Sequence, residues 1–448
     1  FTRTWRDSAP PTQDNQGNDI RPRQEEVLVW RTSYFRDPDG TYREPFLFLF
    51  HEGVNRIEMN AIREPMALAA IHVVSPPKVP TYAEVKAEYE RLGYKPVENR
   101  LIKIQAEHTY LKADPTLRME FGWNPTVEPP ARSNYRLNQF GGHRWRQGDK
   151  WVQWKFEVPE DGLYKIGFKA LQNNTDRLPV IREIKIDGEF PAAEWQEVHF
   201  HYNRDWAIYE PLSDDGEPML VYLTKGEHIL EMTPRIGPLR RTLNLLQRNS
   251  AEMGRISRMI TMITGPDPDP NFDWEIHRTL PDLLPMLQSL ASSFREEEKF
   301  LREYVGQSRL ADQMDMTAAI LEDMIRRPDS IPHRLQEFST QQTSLTSWIV
   351  RLMEAPLTMD YILIASPDTI FPEVKATPIQ NVRSSIESFL MSFVVDYTNV
   401  GSVWGEDGDE VEGVILELWV GRGREWAMIV KEMIEEDFTP RTGIHVNV

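Results

Sequence analysis

Residues Gly148–Ala170 read GDKWVQWKFEVPEDGLYKIGFKA. Val152, Trp154, Phe156 and Val158 fall on one face of an extended strand, and Gln153, Lys155 and Glu157 fall on the other. Residues Pro159–Gly162, PEDG, turn the chain, and Tyr164, Ile166, Phe168 and Ala170 repeat the alternation. Period-two patterning on both sides of a Pro/Gly turn predicts a β-hairpin with one buried face. That hairpin anchors a β-sandwich, with Val152, Trp154, Phe156, Tyr164, Ile166 and Phe168 as expected core.

Outward from the hairpin, Arg100–Glu107, Val180–Ile186, Glu197–Tyr202, Trp206–Leu212, Met219–Leu223 and His228–Met232 read as further strands. They complete an expected jelly roll over residues 98–236, interrupted by a polar excursion at 114–147. Upstream, Val27–Trp30, Phe46–Phe50, Arg56–Ile62 and Ala67–Val74 are spaced like short strands. Residues 1–97 are therefore expected to form a partial first sandwich, entered by a long loop, with its missing strands before Phe1. A connector helix, Tyr82–Leu92, closes it at Gly93.

The periodicity changes after Pro238. Leu239–Thr264, Leu283–Phe294, Leu310–Ile325 and Leu335–Met353 carry amphipathic helical spacing, broken at Gly265, Gly306, Pro328 and Pro332. They predict a helical bundle or arm within 237–400. In the same region Met359–Ala365 reads as a short buried strand and Val382–Val395 as another helix. The methionines of Met253–Met262 are expected in the bundle core. Residues 401–413 are an acidic, Gly-rich linker. Val414–Val420, Glu425–Asp437 and Gly443–Val448 then form a strand–helix–strand unit over 414–448. One such unit cannot bury both faces of its sheet, so it is expected to open a further domain. The fold class is multidomain α+β.

With 448 residues the chain is long enough for several cores, and its net charge of −18 argues against sequence-independent nucleic-acid binding. The absence of cysteine removes disulfides, thiolate metal sites and cysteine nucleophiles together. No apolar run is long enough to span a bilayer. The start at Phe1 suggests a processed or cut N-terminus.

The closing stretch, ILELWVGRGREWAMIVKEMIEEDFTPRTGIHVNV, resembles the opening of extracellular solute-binding proteins of carbohydrate ABC importers. WVQWKFEVPEDGLYKIGFKA, REIKIDGEFP and VYLTKGEHILEM resemble a carbohydrate-binding module of the galactose-binding jelly-roll type. FLFHEGVNRIEMNAIREPMALAAIHV resembles the second half of another such module. The whole order is similar to long solute-binding lipoproteins of Paenibacillus-like Firmicutes. The resemblance implies two jelly rolls, a helical insert and the first βαβ unit of a periplasmic-binding-protein-like domain. It also implies a lipid anchor upstream, most of the binding protein downstream, and a place at the cell surface.

Candidate sites follow from side-chain chemistry. Sugars are held by aromatic faces and by planar amide and guanidinium groups. Tyr135, Asn138, Arg144 and Trp145 in the excursion, and Asn173, Asn174 and Arg177 after a strand, have that composition. The plainer reading is that they shape loops. In the resembled module, acids at the positions of Gln105 and Glu107 help bind a structural Ca²⁺; the Gln here weakens that match, and the plainer reading of Glu107 is a solvated strand-edge acid. His199 and His201 share a strand face, a metal pair or simple packing. Asp205 and Glu210 are carboxylates without a hydrolase motif. In the resembled family the Gly421–Gly423 turn lies near the ligand cleft, which makes Arg422, Arg424 and Trp426 candidates against a plain turn and helix face.

Three functions compete at this level. The first is non-catalytic oligosaccharide binding, as the N-terminal part of an ABC-importer receptor that meets the importer's membrane subunits through a downstream domain. The second is a structural or adhesive spacer at the cell wall. The third is an accessory region that targets a glycoside hydrolase to polysaccharide.

Overall fold

The computed structural model describes the chain except residues 1, 14–16, 38–39, 43, 61–66, 76–77, 132–133, 270, 378–381, 383–384, 388, 391–399 and 401–414. The expected linker 401–413 and most of the expected helix Val382–Val395 lie outside the described residues.

Two sheets pack face to face around one core. In the smaller sheet Val152–Val158 pairs with Gly226–Arg235, which pairs with Val180–Ile186, which pairs with Val198–Phe200. In the larger sheet Gly162–Leu171 has Ala207–Tyr209 and Leu220–Leu223 along one edge and Leu357–Ala365 along the other. Leu357–Ala365 then pairs with Leu101–Gln105 and with Gln139–Gly142. The expected core residues Val152, Trp154, Phe156, Tyr164, Ile166 and Phe168 are all buried in this one cluster.

Two expectations change here. The opening stretch is not a hairpin: its two strands lie in different sheets and face each other across the core. Alternation fixes which side chains point inward, and it does so equally for a hairpin and for an arch between sheets. The sandwich also does not end at Ile236. Leu357–Ala365, read as part of the helical region, is the strand that joins Gly162–Leu171 to Leu101–Gln105, and all nine of its residues are buried.

The N-terminal segment differs too. Thr2–Asp7, where a loop was expected, is a strand that pairs antiparallel with Gln24–Val29, which overlaps the expected strand Val27–Trp30. Trp5 and Lys112 exchange backbone hydrogen bonds of 2.9 and 2.8 Å, and Lys112 bridges to Val152, so the pair extends the smaller sheet. Among the described residues of 46–75 no strand forms, and Leu47, Leu49, Val54 and Val73 stand exposed. An alternating sequence without a hydrogen-bonding neighbour does not make a sheet. Helix Tyr82–Leu92, capped by Thr81 and Glu84 and ended by left-handed Gly93, does more than connect. Tyr82 enters the sandwich core, and its hydroxyl accepts from the Leu220 N–H at 2.8 Å.

Four long helices, Leu239–Thr264, Leu283–Val305, Arg309–Arg326 and Leu335–Leu352, make a second core from Leu243, Leu246, Ile256, Phe294, Met314 and Leu345 among others. Met253 lies in that core, but Met262 is 86% exposed, against expectation. The bundle leaves the sandwich after Ile236 and returns at Ala355, so it is an insertion before the last sandwich strand.

Arg182 clasps the return point. Fully buried, it donates to the carbonyls of Trp145 (3.3 Å) and Ala355 (2.7 Å) and stacks on the Trp145 ring. Burial pulls its guanidinium below its ordinary pKa, yet it stays charged at neutral pH. Arg182→Met is expected to cost about 3 kcal/mol in chemical denaturation, because two buried carbonyls lose their donor. An unchanged midpoint would show that the clasp contributes nothing.

At the C-terminus Ile415–Glu417 and His445–Asn447 pair in parallel across helix Arg424–Met433, in the expected order. Ile415, Leu418 and Trp419 are exposed. No helix among the described residues is long and apolar enough to cross a membrane.

Candidate functional site

Most of the predicted sugar contacts are used within the chain. Trp145 is fully buried, stacked under Arg182, with its indole N–H donating to the Lys150 carbonyl at 2.7 Å. Asn138 is fully buried and ties Gly122 and Pro129 together through three hydrogen bonds of 2.8 to 3.1 Å. Tyr135 stacks on Phe121 with ring centroids 4.4 Å apart, in a small cluster that Met428 of the C-terminal helix joins. Arg144 is ion-paired to Glu120. These four shape the excursion, which is the plainer of the two readings.

The loop after Gly162–Leu171 meets the bundle. Arg177 donates to Gln307 at 3.5 Å, and its neighbour Asp176 pairs with Arg309 (3.2 Å) and Arg351 (3.1 Å). Asn173 and Asn174 stay exposed beside this latch. Arg422 and Trp426 are exposed on the C-terminal unit, and the side chain of Arg424 lies outside what is described.

His199 and His201 stack edge to face at 5.9 Å, and His199 also meets Tyr304 at 6.0 Å. Burial lowers the His199 pKa, with His201 adding repulsion. Glu210 pairs with Lys165 at 3.7 Å, while Asp205 is exposed.

Glu107 is not a solvated strand-edge acid. It is 3% exposed, and burial pushes its carboxyl up to about 8, with Asp360 and Asp19 adding repulsion. Its Oε2 and the Oε1 of Gln105 are buried without a hydrogen-bond partner among the described residues, as cation ligands would be. The rest of the donor set does not fit Ca²⁺. Of the two carboxylates that raise the Glu107 pKa, Asp360 lies 2.6 Å from the Lys169 ammonium and Asp19 is paired with Arg136 at 2.7 Å. No group of three or more His, Asp or Glu side chains among the described residues could hold a metal.

The opening with the most suitable lining was not anticipated. A cleft of about 680 Å³ lies where Gly40, Thr41 and Glu44, the sandwich and the bundle meet. Its walls carry Arg240, Arg241, Asn244 and Arg248 from one helix, Glu296 and Glu297 from another, and Glu197 from the sandwich. Arg241 is fixed by fully buried Glu297 at 2.8 Å, and Arg240 by Glu44 at 2.9 Å. Planar, charge-assisted donors and acceptors held in this way suit paired hydroxyls. The signal in the sequence is the run of polar residues in LRRTLNLLQRN, off the apolar stripe at the start of the first long helix.

Comparison with known proteins bears on the bundle. Residues 241–355 match the model of the bacterial solute-binding protein 4-helix bundle domain. That match covers the insertion and not the sandwich around it. No curated protein matches the chain. Among solved structures, a Paenibacillus cycloisomaltooligosaccharide glucanotransferase is similar over 35% of this chain and 20% of its own, at 17% identity and a TM-score of 0.22. A family 35 carbohydrate-binding module from Clostridium thermocellum is similar over 30% of this chain and 87% of its own, at 14% identity and a TM-score of 0.21. A ruminal GH26 endo-β-1,4-mannanase is similar over 75% of this chain and 38% of its own, at 10% identity and a TM-score of 0.22. The chain thus spans only a fifth of the glucanotransferase, and likenesses at these scores carry no conclusion about what it does.

Proposed function

We propose that this chain binds oligosaccharide, without catalysis, as the N-terminal part of a solute-binding protein serving an ABC importer. The observation that carries this reading is the match of residues 241–355 to a bundle domain of bacterial solute-binding proteins. The polar cleft beside that bundle is the ligand site in this reading. A cell-surface position, an upstream lipid anchor and contact with importer membrane subunits through a downstream domain belong to the same proposal.

A structural spacer is the second reading. It is favoured by the burial of Tyr135, Asn138 and Trp145 in contacts within the chain. Calorimetric titration with a panel of neutral and acidic oligosaccharides separates the two. Binding is expected, and Arg248→Ala is expected to weaken it about tenfold, the loss of one charge-assisted hydrogen bond. A folded chain that binds no glycan in the panel leaves the spacer.

A further inference from the structure

The outer face of the larger sheet holds a buried charge pair that the strand register creates. Between Gly162–Leu171 and Leu357–Ala365 the pairing shifts between Met359 and Tyr361, which makes Asp360 the extra residue of a bulge. A bulge re-aims a side chain, and here it brings Asp360 against Lys169. Lys169 Nζ lies 2.6 Å from Asp360 Oδ2, and the two residues are 1% and 0% exposed.

Asp360 Oδ2 is buried with the Lys169 ammonium as its ion-pair partner and no further hydrogen bond among the described residues, while the other polar groups of the pair are bonded. Asp360 Oδ1 accepts from the Glu128 N–H at 3.1 Å, and the Asp360 carbonyl accepts from the Ala106 N–H at 2.9 Å. The ammonium also donates to the Thr126 carbonyl. The rings of Tyr361 and Trp206 lie 4.9 and 5.7 Å from Nζ, where their π faces favour a cation. Three neighbouring strands and the loop through Thr126 and Glu128 therefore meet at one positive charge.

A Ca²⁺ ion needs about six to eight oxygen ligands. Here one carboxylate is already neutralised, and a divalent ion drawn to it would sit against a fixed ammonium that has no water to screen it. We infer that Lys169 is the resident cation of this sheet: its ammonium takes the place of a structural divalent ion, neutralises Asp360, and ties the loop through Thr126 and Glu128 down. The sandwich then needs no Ca²⁺.

The test is thermal unfolding of the full chain after dialysis against EDTA, with and without millimolar Ca²⁺. The wild-type Tm is expected to be the same in both. Lys169→Met is expected to lower Tm by about 10 °C whether or not Ca²⁺ is present, since it strands a buried carboxylate. The double variant Lys169→Met/Asp360→Asn is expected to recover part of that loss. A Ca²⁺-dependent rise in the wild-type Tm that Asp360→Asn abolishes would overturn the inference, as would a Lys169→Met protein as stable as wild type. Should Lys169→Met fail to fold, the wild-type comparison decides alone.

Discussion

A chain ended after Ile236 is expected not to fold its sandwich, although the sequence to that point contains strands enough for one. The missing piece is Leu357–Ala365, buried along its whole length between Gly162–Leu171 and Leu101–Gln105. Burying Leu357, Met359, Ile362, Leu363 and Ile364 contributes about 1.5–3 kcal/mol each. The sum is on the order of 10 kcal/mol, comparable with the ~5–15 kcal/mol that separates folded from unfolded domains. Removing the strand also leaves the backbone of both neighbours without partners. Replacing residues 239–353 with a short Gly/Ser linker is expected to restore the fold, because both ends of the insertion lie at one place. Gly237 packs on Ile181, and the Ala355 carbonyl is held by the adjacent Arg182. Near-UV circular dichroism and thermal unfolding of the two proteins test this. Cooperative unfolding of the chain ended at Ile236 would show that the last strand is dispensable.

Glu107→Gln is expected to stabilise the protein at pH 8 and to change little near pH 4.5. The folded carboxyl titrates at about 8 because burial disfavours its charge, whereas in the unfolded chain it titrates near 4.5. The folded state therefore keeps a proton that the unfolded state has lost between these values. Wild-type stability is full below about pH 4.5, falls as pH rises toward 8, and is level above it, with a slope of at most ~1.4 kcal/mol per pH unit from this group. Across the window the loss is on the order of 2–4 kcal/mol, and glutamine, which does not ionise, removes it. Asp360, pushed up to about 6 by burial against the pull of Lys169, adds a smaller change of the same sign between about pH 4 and 6. Urea midpoints of both proteins from pH 4.5 to 8.5 measure the difference. A Glu107→Gln protein less stable than wild type at pH 8 would mean that the ionised carboxylate is what the fold needs.

Much of the local structure was legible. The helices between Leu239 and Leu352 follow from apolar spacing and their Gly and Pro breaks, because a helix makes its hydrogen bonds within one segment. The parallel strand–helix–strand order at the C-terminus was legible for the same reason, with the helix between the strands setting their direction. The candidate site was much less so. Tyr135, Asn138, Arg144 and Trp145 have the composition of a sugar site, but the same planar and aromatic groups also lock a long loop. Which role they take depends on partners such as Phe121, Glu120, Gly122 and Arg182, which only the folded sandwich brings to them. The cleft at Arg240, Arg241 and Arg248 depends on three distant segments: the polar face of LRRTLNLLQRN marks one wall, and nothing local marks the other two.

The stretch Gly148–Ala170 marks the boundary between the two kinds of information. Its period of two determined by itself that Val152, Trp154, Phe156, Tyr164, Ile166 and Phe168 turn inward, since a pleated strand sends alternate side chains to opposite faces. Which edges its strands offer, and to whom, was decided only in three dimensions. Val152–Val158 took Gly226–Arg235 as its neighbour, and Gly162–Leu171 took Leu357–Ala365 from beyond the bundle. Edge pairing uses backbone N–H and C=O groups that every residue carries alike. It leaves no pattern in the sequence, and only the fit of the whole core selects the partner.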